Sequence, residues 1–461
     1  MNGMGWNGYV GAIRATLAVF LRYSSRSRPY LMRTHPAPFG LLKLAMIRSV
    51  FIASFLVLTL GLTSSLQAQA LEDYTPPVDR ITLKKRGKVL EGRIVLVTDE
   101  KIVLRQKSKH KEYDREDVES YVWSEEAHAE LFPRLRKATD STTADLQALS
   151  EEFGVAGLAG EAALCHWIVL AQDPANELSH EALGHRLKNK GWQVRIDGKW
   201  TNWDKLDDLT ADWGKGWQFT TAHFDVRTNL PLNDALRVAE DAEILLRHFY
   251  NHYGKQLGLY IPTRRQELHV HGDHKSFPGG GAFTSLFSTS QERTTVDASA
   301  SYWMGDLVQR LTQHLFYASS FETGAQSALP SWVHLGVYRN FAAMMNLTDR
   351  EKGSLNWEPT RAHDEDREMH RTAKEPGDLN RLLTIDTSEI FTKRGELALA
   401  HASTLVDFCM RGEDRKHFEP FAEFVRSALA GKGSPTHFKK LLGIRKEKDF
   451  VAAWGRFVGR E

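Results

Sequence analysis

The spacing of apolar positions changes several times along this chain, and each change marks an expected element. Between residues 78 and 125 the apolar residues come in short β-branched runs: Ile81-Thr82-Leu83, Val89 to Leu96, Lys101 to Arg105 and Asp117 to Val122. Lys-Arg-Gly-Lys and Thr-Asp-Glu-Lys separate them as turns, so the segment reads as a small module of about five strands, an SH3- or Sm-like barrel. The period then becomes helical over residues 126–190, through Leu131, Leu135, Leu146, Leu149, Phe153 and Leu158. A helical hairpin is predicted there. Residues 191–216 are rich in Trp (Trp192, Trp200, Trp203) and read as a connector containing a hairpin. From residue 217 to 461 the pattern is that of one large α/β unit.

Within that unit, residues 223–228 alternate as a strand, and Asp234 to Tyr253 carries an apolar stripe at helical spacing. Residues 267–271 form a second strand and 285–300 a strand with loop. Two helices follow, over 306–317 and 330–341, and the rest is helical with a break at Gly431 to Pro435. The fold class expected is therefore α+β and multidomain.

Composition changes this picture little. With 42% hydrophobic and 26% charged residues, the chain is ordinary globular protein. Charge is more informative. Residues 1–70 hold seven basic residues, Arg14, Arg22, Arg26, Arg28, Arg33, Lys43 and Arg48, and no acidic ones. All 58 acidic residues lie beyond them, leaving the body of the chain with a small acidic excess. No nucleic-acid partner is expected from such a balance. The Lys107 to Lys111 cluster reads as a solvated hairpin.

Residues 46–70 read as a signal peptide. Arg48 supplies the positive end, Val50 to Leu62 an uncharged apolar run, and Leu66 to Ala70 two small-x-small cleavage sites. The run is short of the roughly 20 apolar residues of a membrane-spanning helix, so no stable span is expected after cleavage. Residues 1–45 read as an extension ahead of a natural start at Met46. The alternative is an unusually long signal or a retained anchor. Export to the periplasm, envelope or exterior follows. Cys165 and Cys409 are too few for a disulfide framework and read as two buried thiols.

Candidate chemistry centres on two segments. Residues 306–317 read Asp-Leu-Val-Gln-Arg-Leu-Thr-Gln-His-Leu-Phe-Tyr, and residues 330–341 read Pro-Ser-Trp-Val-His-Leu-Gly-Val-Tyr-Arg-Asn-Phe. In order with the preceding strand, helix and strand, the pair resembles the peptidase MA (gluzincin) clan, in its exported branch of uncharacterised domains. The likeness covers about residues 217–461. The resemblance implies a thermolysin-type lobe with an H-E-x-x-H helix and a Trp-x-x-Glu-Gly segment around zinc. By that alignment Gln309 stands at the first His, Arg310 at the general base, Gln313 at the second His and Leu335 at the third ligand.

These substitutions remove the chemistry. A catalytic zinc site needs about three ligands from His, Asp, Glu or Cys. Gln309 and Gln313 keep the i,i+4 spacing but offer neutral amides, Leu335 has no donor atom, and Arg310 cannot act as a base. Neither His314 nor His334 restores a pair, and both are left as possible cleft residues. No zinc or other cofactor is expected, and no catalytic residue. Two other histidine sets occur in the chain. His180 and His185 are five residues apart and do not share a helical face. His269, His271 and His274 lie close together on and after a strand and form the alternative metal set.

The favoured expectation is an exported, catalytically inactive metallopeptidase homologue that binds a peptide or protein. A hydrolase using His269, His271 and His274 is the first alternative. A structural envelope protein acting through its β module is the second. No Gly-x-Ser-x-Gly and no phosphate-binding Gly loop supports other enzyme classes.

Overall fold

The computed structural model describes residues 78–136, 141–196, 198–279, 283–301, 303–322, 329–344, 361–374, 377–385 and 395–460. The expected extension and signal peptide lie outside them. The architecture is mixed α+β. The chain divides into two compact units, one holding His185–Trp203 and the other Pro76–Gly184 with Asp204–Glu461.

The larger unit begins with five antiparallel strands, β1 (Asp79–Leu83), β2 (Lys88–Val97), β3 (Lys101–Gln106), β4 (Lys109–Asp114) and β5 (Val118–Val122). Their order is β4-β3-β2-β1-β5. Ile81, Ile94, Val97, Ile102, Leu104, Tyr113 and Val118 form the core of this sheet. The expected barrel is not closed: among the described residues β4 pairs with β3 alone and β5 with β1 alone. Lys109, Lys111, Glu112 and Asp114 are exposed along β4, which suits a solvated edge better than pairing. Bulges between Ile94 and Leu96 in β2 and between Thr82 and Leu83 in β1 bend the sheet. The Lys107 to Lys111 run thus forms a turn and the start of a strand.

Helices α1 (Ser124–Arg136), α2 (Thr143–Val155), α3 (Ala159–Gln172) and α4 (Glu177–Ala182) follow. Thr142 caps α2 by accepting from the Asp145 amide, and Asp145 accepts from the Thr142 amide. This reciprocal arrangement satisfies two helix-end donors. Buried Leu146, Leu149 and Phe153 face Leu164, Ile168 and the rest of the hairpin core. His180 is buried and bonds the Pro174 carbonyl at 2.9 Å. Cys165 and Cys409 are both buried and free.

The smaller unit is a three-stranded sheet, β6 (Arg186–Lys188), β7 (Gly191–Ile196) and β8 (Lys199–Asn202), in that order. Asn189 and Lys190 both have positive φ, as the tight β6–β7 turn requires. Arg186 lies over the Trp200 ring at 4.2 Å.

After a short helix α5 (Leu206–Thr210), the main sheet of the larger unit is built from β9 (Trp217–Thr220), β10 (Phe224–Thr228), β11 (Gln266–His271), β12 (Ser285–Ser288) and β13 (Arg293–Asp297). Its order is β12-β13-β11-β10-β9. Strands β10, β11 and β13 are parallel, while edge strands β9 and β12 run antiparallel to their neighbours. Helix α6 (Leu232–Phe249) crosses between β10 and β11 and buries its predicted stripe of Leu236, Val238, Ala239, Ala242, Leu245, Leu246 and Phe249. It continues through a π turn at Tyr250–Gly254, and the chain leaves it at Gly258 with φ 66°. Only Gly adopts that left-handed geometry without strain.

Helix α7 (Trp303–Glu322) packs on β12 and β13, and α8 (Ser331–Met344) follows it. The remaining helices are α9 (Arg361–Thr372), α10 (Leu379–Leu383), α11 (Gly395–Arg411), α12 (Phe418–Leu429), α13 (Pro435–Leu441) and α14 (Glu447–Phe457). Trp332 of α8 sits among Phe421, Phe424 and Phe438, its ring 5.2–6.1 Å from theirs. That aromatic cluster holds α8 in place from the C-terminal side. No helix among the described residues is long and apolar enough to cross a membrane.

Candidate functional site

Helix α7 lays the segment from Gln309 to His314 against the edge strand. Arg310 is half-buried and donates from Nε to Ser285 Oγ at 3.2 Å and from Nη1 to Gln313 Oε1 at 3.2 Å. One turn earlier, Asp306 accepts from Thr284 Oγ1 at 2.5 Å. Burial pushes the Asp306 carboxyl up, with Asp297 adding to it and Thr284 and Arg310 opposing. Half-buried His334 of α8 feels the Arg310 charge. Burial and that guanidinium together hold its pKa down at about 4. Positions on the two helices therefore do converge, and they bring together a cation, amides and a neutral imidazole.

Leu335 is buried. The next residue, Gly336, explains the packing: a Cβ there would meet the Ala402 carbonyl of α11 at 2.4 Å. Helices α8 and α11 approach too closely for any other residue. His314 is fully buried. It shares a hydrogen bond with Thr294 at 3.0 Å, packs on Phe287 at 4.8 Å, and burial pushes its pKa down to about 3. It belongs to the packing between α7 and the sheet. Gln309 is half-buried on α7.

His269, His271 and His274 are each engaged by neighbouring side chains. His271 stacks on Trp213 at 3.5 Å and shares a hydrogen bond with Ser276 at 3.1 Å. His269 meets the same Trp213 ring edge-on at 5.3 Å. Burial first, then the nearby Arg293 and Arg227, holds His269 at about pKa 3. His274 has its Nδ1 2.6 Å from Asp297 Oδ2.

Comparison with family models, curated proteins and solved structures finds no match to this chain. The chemistry must be read from its own residues.

A second cluster was not anticipated from the sequence. Among the described residues, His128, His223 and Glu243 make the one group of His, Cys, Asp or Glu whose donor atoms all lie within 4.8 Å of one another. His128 comes from α1, Glu243 from α6, and His223 from the turn entering β10. Glu125 of α1 and Glu161 of α3 complete the surroundings. His223 Nδ1 is 2.8 Å from Glu243 Oε2 and its Nε2 is 2.9 Å from Glu125 Oε1. The His223 amide donates to Glu243 Oε1, and the Ala222 amide to Glu161 Oε1. His128 Nε2 lies 3.3 Å from Glu161 Oε1 and 3.6 Å from Glu243 Oε2, with a hydrogen bond to neither. Burial would push the His223 imidazolium down, but the Glu125 and Glu243 carboxylates outweigh it and hold its pKa well above the usual value. Burial likewise opposes ionisation of Glu243, and the two imidazoles overcome it. The one sequence signal was the Glu125-x-x-His128 spacing, which puts both side chains on one face of α1.

Proposed function

We propose that this chain is an exported, non-catalytic metallopeptidase homologue that holds an extended peptide in the groove between β12, α7 and α8. The observation that carries this reading is Arg310. Its guanidinium bonds Ser285 of the edge strand and Gln313 of its own helix. The permanent positive charge, with Gln313 one turn on and a neutral His334 across from it, disfavours a bound cation. Gln309, Arg310, Gln313 and Leu335 supply neither a carboxylate base nor a set of zinc ligands.

The adjoining edge favours binding. Among the described residues β12 pairs with β13 alone. An antiparallel edge with an unpaired row of amides and carbonyls accepts an added strand, main chain supplying affinity and side-chain pockets supplying selectivity. The apolar run and cleavage sites at residues 46–70 support export.

The test uses the full chain and a pool of unstructured decapeptides, measured by retention on the immobilised protein with and without zinc. Retained peptides are then resynthesised with alternate backbone amides N-methylated. Retention without cleavage, lost on N-methylation, is the expected result. Zinc-dependent cleavage would make the chain a peptidase. Retention indifferent to N-methylation, or none at all, would overturn strand addition.

A further inference from the structure

The buried cluster lies away from the groove and stands independently of the reading above. Its geometry has an unmet demand. His128 is 3% exposed and Glu161 wholly buried. Neither His128 Nε2 nor Glu161 Oε2 has a hydrogen-bond partner. A buried polar atom left unpaired costs about 1–3 kcal/mol, so two of them in one spot call for an occupant. His128 Nε2 points between two carboxylates at 3.3 and 3.6 Å without hydrogen-bond alignment. Two donors on one ion, each about 2.0–2.2 Å from it, stand roughly that far apart.

Charge leads to the same place. Asp79, Glu125, Glu161 and Glu243 are the carboxylates in this linked network, and Arg93 and Arg247 its guanidiniums. Two negative charges remain. One divalent cation would balance them. His223 is also oriented for ligation: its Nε2 is held by Glu125 at 2.9 Å while its Nδ1 faces the cluster. A carboxylate gripping the far nitrogen of a ligating imidazole is a common way to fix its tautomer.

We propose that this cluster is a buried divalent-metal site, with His128 Nε2, His223 Nδ1 and Glu243 as ligands, Glu161 beside His128 and Glu125 as the positioning residue for His223. Two imidazoles and one carboxylate suit zinc. The ion would fasten α1, α6 and the turn before β10 to one point.

The experiment takes the untagged full chain, strips it with chelator and dialyses it against Zn2+. About one equivalent of bound zinc and a raised melting temperature are expected. The paired substitution His269→Ala with His271→Ala should keep the ion. His128→Gln and Glu243→Gln should each lose it. Less than about a tenth of an equivalent with an unshifted melting temperature would overturn the site. So would zinc retained by a folded His128→Gln. Should both variants fail to fold, the zinc bound by the His269→Ala, His271→Ala protein decides, and less than about a tenth of an equivalent there would overturn the proposal.

Discussion

Arg310 on α7 donates from its Nε to Ser285 Oγ on the edge strand β12 at 3.2 Å. The bond joins the helix that the gluzincin resemblance would make catalytic to the strand that would line its cleft. It also fixes a positive charge near His334, whose pKa burial and Arg310 hold at about 4. Arg310→Met removes the second cause and leaves the first. The His334 pKa should therefore rise, yet stay below the ordinary value of about 6.5 because burial is the larger effect. Titration of the His334 ring by NMR measures this. A pKa that does not move would mean that the guanidinium points away from His334.

His314 gives the pH dependence of stability a definite sign. Its folded pKa of about 3 lies below the ordinary value of about 6.5, because burial disfavours the imidazolium. Between those values the unfolded chain binds the extra proton. The stabilisation from keeping this imidazole neutral is fully present above pH 6.5 and is lost as pH falls towards 3. The slope for one such group approaches about 1.4 kcal/mol per pH unit. His314→Gln should flatten the stability profile by that amount per unit between pH 6 and 4, in urea melts at several pH values. Parallel profiles for the two proteins would contradict a buried neutral His314.

Much of the fold could be read from periodicity. The stripe on α6, the strands on either side of it and the two helices after residue 300 all follow from apolar spacing, because each buries one continuous face. Strand β4 was legible only as the solvated hairpin at Lys107 to Lys111, since Tyr113 is its single buried residue. The buried cluster escaped for a deeper reason. Glu243 lies between Ala242 and Ile244 on a helix surrounded on several sides, so a carboxylate that pattern reading assigns to solvent is fully enclosed. Glu161 and His223 come from segments far apart in sequence, and only the tertiary fold brings them to His128. The segment from Gln309 to Gln313 was legible as lacking zinc ligands, but the contact of Arg310 with Ser285 was not.

Two glycines in consecutive helices should respond oppositely to the same substitution. At Gly336 a Cβ would meet the Ala402 carbonyl at 2.4 Å and Val406 Cγ2 at 2.7 Å. Backbone cannot step aside cheaply, so Gly336→Ala should destabilise by about 1–3 kcal/mol through forced separation of α8 and α11. At Gly305, in the first turn of α7, a Cβ would meet nothing within 4 Å. Gly305→Ala should stabilise by up to about 1 kcal/mol through helix propensity alone. Chemical denaturation midpoints of the two variants test both. A Gly336→Ala protein as stable as the parent would refute the close helix approach.

Arg339 of α8 and Asp366 of α9 form the best-matched buried ion pair in the described chain. Arg339 Nε lies 3.0 Å from both carboxylate oxygens and Nη2 lies 2.8 Å from Oδ1. Asp366 is wholly buried and Arg339 nearly so. Removing one partner leaves a buried charge, and such losses run to about 3–5 kcal/mol. Glu396 Oε2 stands 3.5 Å from Arg339 Nη2 and can take up part of the charge. Asp366→Ala should therefore fall at the low end, about 3 kcal/mol. Replacing both partners, Arg339→Met with Asp366→Leu, should cost less than Asp366→Ala alone, because no buried charge then remains unpaired. Urea unfolding of the single and double variants gives the comparison. A double variant less stable than the single would mean that the pair contributes net attraction beyond cancelling its own desolvation.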